Sequence, residues 1–91
     1  MGEISVTHQP SEAELEERGV RQWSIWTCEP SRFPWSYEER ETCYLLEGEV
    51  VVTPDGGDPV TIQSGDLVVF PRGMSCTWDV RRAVRKHYIF G

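Results

Sequence analysis

Gly65-Asp66-Leu67-Val68-Val69-Phe70-Pro71-Arg72-Gly73 is the stretch that decides the fold. A turn at Gly65-Asp66 launches the apolar run Leu67 to Phe70, and Pro71 and Gly73 stop it. A short apolar run between Gly and Pro signals, rich in β-branched residues, reads as a buried strand. Pro71 lacks a ladder donor and so marks a sheet rim. Gly65 and Gly73 suit the positive φ that a chain reversal at a strand end demands.

The same texture extends both ways from this strand. Val60-Thr61-Ile62 and the turn Gln63-Ser64 precede it, after the emphatic turn Pro54-Asp55-Gly56-Gly57-Asp58-Pro59. Further upstream, Glu41 to Thr53 reads as two strands hinged near Gly48, and Gln22 to Thr27 as an aromatic, β-branched strand. Downstream, Ser75 to Val80 alternates, and Arg85 to Phe90 closes the chain. Many short strands with Gly/Pro turns argue a small barrel or sandwich. One helix is predicted, over residues 11–18. Ser11 and Glu14 form a capping box, acids fill its first turns, and Gly19 supplies a left-handed stop. A helix this short needs something to lie against.

The chain has 91 residues with 15 acids against 9 bases, a net charge of −6. This is one domain, residues 1–91, with the barrel over about 20–91. The acidic balance speaks against nucleic acid and anionic membrane surfaces as partners. No long apolar run and no signal or basic transit segment is visible, so a cytoplasmic location is expected. The Gly2 lipidation pattern fails because Val6 stands where Ser or Thr is wanted. Cys28, Cys43 and Cys76 include no C-x-x-C pair, which suggests free thiols and small buried residues. The basic cluster Arg81, Arg82, Arg85 and Lys86 reads either as surface compensation or as an anion subsite.

Gly65, Pro71 and Gly73 fit without a gap the second motif of the cupin superfamily, and Glu41 with Gly48 fits the end of the first. The chain therefore resembles a cupin: all-β, a small jelly-roll barrel with a short N-terminal helix. The runs Glu41 to Val50, Gly65 to Gly73, Cys76 to Val80 and Val84 to Tyr88 are similar to the cupin group that includes (S)-ureidoglycine aminohydrolase, and within it to short single-domain members. The resemblance implies a metal site of imidazoles and one carboxylate. Here Glu41 is the one such ligand kept, while Trp35, Tyr37 and Cys76 stand at the other positions. No cofactor is expected. A divalent ion would have only Glu41 and Cys76 to hold it, with Tyr37 a poor third.

Period 2 places Glu41, Cys43 and Leu45 on one face and Thr42, Tyr44 and Leu46 on the other. Facing Glu41 inward, as in cupins, gives an interior of Trp35, Tyr37, Glu41, Cys43, Cys76 and Trp78, with Lys86 or Tyr88 added. Two readings follow: a small-molecule pocket, or the packed core of a barrel. In the first, the ligand is a small polar metabolite, nitrogenous or carboxylated. Glu41 is its general acid/base or anchor, Lys86 a charge partner, and Trp35, Tyr37, Cys43, Trp78 and Tyr88 the walls. Cys76 stands open between an inert thiol, a ligand subsite and a thiolate nucleophile. In the second, the chain is a non-catalytic, ligand-sensing or structural module. Under either, the outer face around Trp23, Ile25, Tyr44 and Leu46 needs cover, and the resemblance implies a homodimer. His87 is assigned to an outer face. Glu41→Gln is expected to leave stability unchanged or raise it.

Overall fold

The computed structural model describes residues 3–91; the Gly2 lipidation position lies outside the described residues. The strands are β1 (Ser5–His8), β2 (Ser24–Cys28), β3 (Ser31–Ser36), β4 (Glu41–Pro54), β5 (Val60–Gln63), β6 (Asp66–Phe70) and β7 (Ser75–Phe90). The helix α1 (Glu12–Arg18) sits where predicted. Its N-cap Ser11 accepts from the Glu14 N–H, and Gly19 closes it at φ 69°. A 3-10 turn, Val20–Gln22, follows and contacts β7. Leu15 and Val20 are the buried side chains of this segment, which gives the short helix the packing it needs. No helix among the described residues is long and apolar enough to cross a membrane.

Two long strands organise everything else. β4 is one strand of 14 residues, not two, and β7 is one strand of 16 residues where two were expected. They pair with each other antiparallel along most of their length, and both bend in the middle. The register slips between Leu45 and Val50, where Gly48 sits at φ 100° against the Ala83 backbone. Bulges of this kind bend and twist a strand without ending it. The bend divides the sheet. On one side of it run β1-β6-β4-β7-β2; on the other, β5 lies on β4 and β3 on β7.

The two halves face each other across one core. Cys43, Leu45, Val68 and Phe70 come from one half, and Val50, Val52, Ile62, Trp78 and Val80 from the other. The predicted alternation holds at Glu41, Cys43 and Leu45, which are 3%, 1% and 0% exposed. This is the small all-β cupin barrel with one short helix. Two strands escaped the sequence reading. β1 is polar and only four residues long, and β3 contains Pro34. β3 pairs only with β7, so its free edge tolerates a residue without an amide donor.

Candidate functional site: an aromatic cavity around a buried ion pair

Lys86 enters the interior from β7, opposite Trp26 of β2 and Leu45 of β4. Its Nζ donates to Glu41 Oε2 at 2.6 Å, and both side chains are buried. The same ammonium lies 4.5 Å from the Trp78 ring centroid, 4.8 Å from that of Trp26 and 5.9 Å from that of Tyr88. Three aromatic faces and one carboxylate therefore compensate a cation held out of water. Trp78 anchors the arrangement. Its indole Nε1–H donates to the Tyr37 hydroxyl at 3.2 Å, Trp26 meets it edge-on at 5.8 Å, and Phe33 stacks on it at 6.1 Å. Tyr37 in turn stacks on Phe70 at 5.0 Å.

This cluster is not closed. A cavity of about 260 Å³ opens over it, walled by Trp26, Phe33, Trp35, Tyr37, Trp78, Tyr88 and Phe90, with Glu41 and Lys86 as its charged groups. A second cavity of about 310 Å³ shares Trp35, Tyr37 and Phe90 and adds Ser36, Glu38 and Glu39.

Of the residues singled out from the sequence, Glu41, Lys86, Trp35, Tyr37, Trp78 and Tyr88 all line the inner cavity. Trp35 stands at its rim, 48% exposed, and is no interior residue. Cys43 and Cys76 do not line it. Cys43 faces inward but is packed in the core, and burial pushes its thiol up to about 12. Cys76 is also buried; its Sγ lies 3.6 Å from the Trp35 carbonyl oxygen. Burial, reinforced by the Asp55 and Glu41 carboxylates, pushes the Cys76 thiol up to about 11. Burial thus disfavours the thiolate, and Cys76 lines neither cavity, which speaks against a nucleophile there.

Trp26, Phe33 and Phe90 were missed. Period 2 carried the signal for two of them. Trp26 alternates with the outward Ile25, and Phe90 lies two residues beyond Tyr88. Phe33 sits in the strand that Pro34 disguised. His87 points away from the cavity, with Nδ1 3.1 Å from the Trp23 carbonyl oxygen. The basic cluster matches its surface-compensation reading. Arg81 pairs with Asp79, Arg82 with Glu49 and Arg85 with Glu47, while alternation turns Lys86 inward.

The donor set does not fit a metal. Glu41 is engaged by an ammonium, so a cation bound there would face a like charge at close range. Burial, with the Glu41 carboxylate beside it, holds the Tyr37 phenol far above its ordinary range. Cys76 does not line the cavity that Glu41 and Tyr37 share. Among the described residues no group of three or more His, Cys, Asp or Glu side chains converges.

The model of the EutQ-like cupin domain matches residues 15–88. The chain belongs to the EutQ-like cupin family. A DUF861 family protein from Thermotoga maritima shares 45% identity with this cupin at a TM-score of 0.95, over 98% of this chain and 100% of the other. The EutQ protein of Clostridium difficile matches at 21% identity and a TM-score of 0.67, covering 96% of this chain and 66% of its own. A putative ethanolamine utilization protein Q from Salmonella typhimurium matches at 24% and 0.66, over 96% and 68%. At those identities the last two share the fold. No curated protein matches this cupin.

Proposed function

We propose that this cupin binds a small nitrogenous metabolite in the inner cavity, with the Lys86–Glu41 pair as its polar floor. The observation that carries the reading is a buried ion pair exposed to an aromatic cavity instead of being sealed by packing. Few convergent polar groups in an apolar wall are the usual composition of a ligand site. The volume of about 260 Å³ sits just under the ~300 Å³ lower end for such sites, so the ligand is small.

Of the two ligand chemistries expected from the sequence, a carboxylate gains least. Lys86 already has a counterion, so an added anion would have to displace Glu41 or sit beside it. An uncharged head with adjacent acceptor and donor, such as an amide, suits the pair better. Its oxygen accepts from a remaining Lys86 N–H, and its N–H donates to the carboxylate. A metal-dependent aminohydrolase-like reaction finds no matching donor set here. The reading is therefore of binding, with Glu41 and Lys86 able to hold a proton against the bound head. The rival reading, a non-catalytic barrel with a merely filled interior, leaves the open cavity without a role.

Four tryptophans make the test direct. Benzamide is titrated while the indole N–H resonances are followed by nitrogen–proton NMR. Saturable shifts at Trp26, Trp35 and Trp78, with Trp23 still, are expected. No saturable shift up to about 10 mM, weaker than roughly −3 kcal/mol of binding, removes the reading.

A further inference from the structure

We propose that the outer cavity is a charge-selecting vestibule, and that the ligand of the inner cavity carries an organic ammonium at its trailing end. This rests on the inner cavity being a ligand site and adds the chemistry of the ligand's other end. The outer cavity shares Trp35, Tyr37 and Phe90 with the inner one as common walls. Its polar lining is of one sign: Glu38 and Glu39, with the neutral Ser36.

Among the described residues no cation forms an ion pair with either acid. Arg40, next in sequence, donates from Nε and Nη2 to the Gly91 carbonyl oxygen at 3.3 and 2.8 Å and lines neither cavity. Arg72 lies in the turn whose Gly73 N–H bonds the Tyr37 carbonyl. Among the described residues it pairs with no acid. Two carboxylates beside exposed aromatic faces are the two elements that hold an alkylammonium at a wet site. Trp35 and Phe90 are 48% and 45% exposed and present their rings to this cavity.

A second observation ties this vestibule to a ligand. Tyr37 lines both cavities and is 2% exposed. Its hydroxyl oxygen accepts from Trp78, yet its own O–H finds no acceptor among the described residues. Trp78 thus gives the Tyr37 oxygen its partner, and the remaining O–H is a donor available to an acceptor bound in either cavity. Inside, Lys86 and Glu41 cancel, so the deep end favours a neutral group. Outside, the charge is negative. The ligand that satisfies all three has a planar or apolar neutral end, an acceptor near Tyr37, and a cationic tail.

Three probes share one ring and differ in their tails: phenethylammonium, phenethyl alcohol and phenylacetate. Each is titrated by the same indole resonances against the wild type and against the double variant Glu38→Gln, Glu39→Gln, whose exposed sites leave the fold intact. In the wild type phenethylammonium is expected to bind about tenfold more tightly than phenylacetate, the effect of about 1.4 kcal/mol. In the double variant that preference is expected to fall to about twofold, with phenethyl alcohol unchanged. Phenylacetate binding as well as the ammonium, or a preference that survives the double variant, overturns the vestibule alone. If none of the three binds while benzamide does, the vestibule falls alone; if benzamide fails as well, the pocket reading falls and the vestibule with it.

Discussion

Glu41 and Lys86 sit 2.6 Å apart with side chains 4% and 6% exposed. The sequence set a fixed partner and an open cavity as alternatives for Glu41; the fold provides both. With the partner fixed and buried, a loss is now the outcome argued for Glu41→Gln, in place of the neutral or stabilising one. Glutamine keeps the shape but leaves an ammonium buried against three rings without its counterion. We expect Glu41→Gln to cost about 3 kcal/mol in urea denaturation, as broken buried pairs do. The double variant Glu41→Leu, Lys86→Met should recover most of the loss; a midpoint for Glu41→Gln at or above wild type would refute this account. The thiols give a second residue-scale test. Cys43 and Cys76 are raised from 9.0 to about 12 and 11. Between pH 9 and 11, then, the unfolded chain gives up thiol protons that the folded chain keeps. Stability from these groups is intact below that window and falls as pH rises through it. At neutral pH iodoacetamide followed by mass spectrometry should label Cys28 alone, the one cysteine not fully buried.

At the scale of elements, the bend in β4 and β7 decides whether the two half-sheets close on each other. Gly48 stands at φ 100°, and a Cβ there would fall on the Ala83 carbonyl and within 2.9 Å of the Arg82 oxygen. Gly73, at φ 85°, has open space around it. Alanine at Gly73 bears only the left-handed backbone cost, about 1 kcal/mol. Alanine at Gly48 adds a backbone collision and is expected to cost about 3 kcal/mol or more. Equal losses in thermal denaturation would show that the bend does not depend on this contact. The same position explains what was legible. Glu41, Gly48, Gly65, Pro71 and Gly73 carry the fold in the sequence because each meets a fixed backbone or burial demand. The continuity of β4 through Gly48 was not legible, because a glycine between apolar runs marks a bulge and a strand end alike. Nor was β3, where Pro34 argued against a strand and so hid Phe33. Within the site, alternation turned Glu41 and Trp78 inward, where the structure has them, and left Lys86 and Tyr88 as alternatives, both of which line the cavity. It also put Cys43 and Cys76 on the inner face, but an inward residue faces a cavity only where packing leaves one, and facing alone does not reveal depth.

For the whole molecule the open question is what covers the outer face. Ile25 lies directly opposite His87 across the β2–β7 pairing, and Ile89 follows two residues on along the same face. Both isoleucines are more than two-fifths exposed, at 43% and 44%. The helix segment buries Leu15 and Val20 but leaves these two uncovered. A second copy is the occupant that the cupin resemblance implies, and an interface of ordinary size would cover ~800 Å² per partner, about one seventh of the 5621 Å² surface. The net charge of −6 on each copy opposes that contact. Screening weakens the repulsion and leaves the apolar gain, so association should strengthen between about 0.01 and 0.15 M salt, as the Debye length falls from ~30 to ~8 Å. Light scattering at that higher salt should give about twice the 10.5 kDa of one chain. Ile25→Glu with Ile89→Glu places charge on the face without touching the core, and should return the mass to one chain with an unchanged circular dichroism spectrum. A single-chain mass for the wild type that is independent of both salt and concentration would leave this face without a second copy.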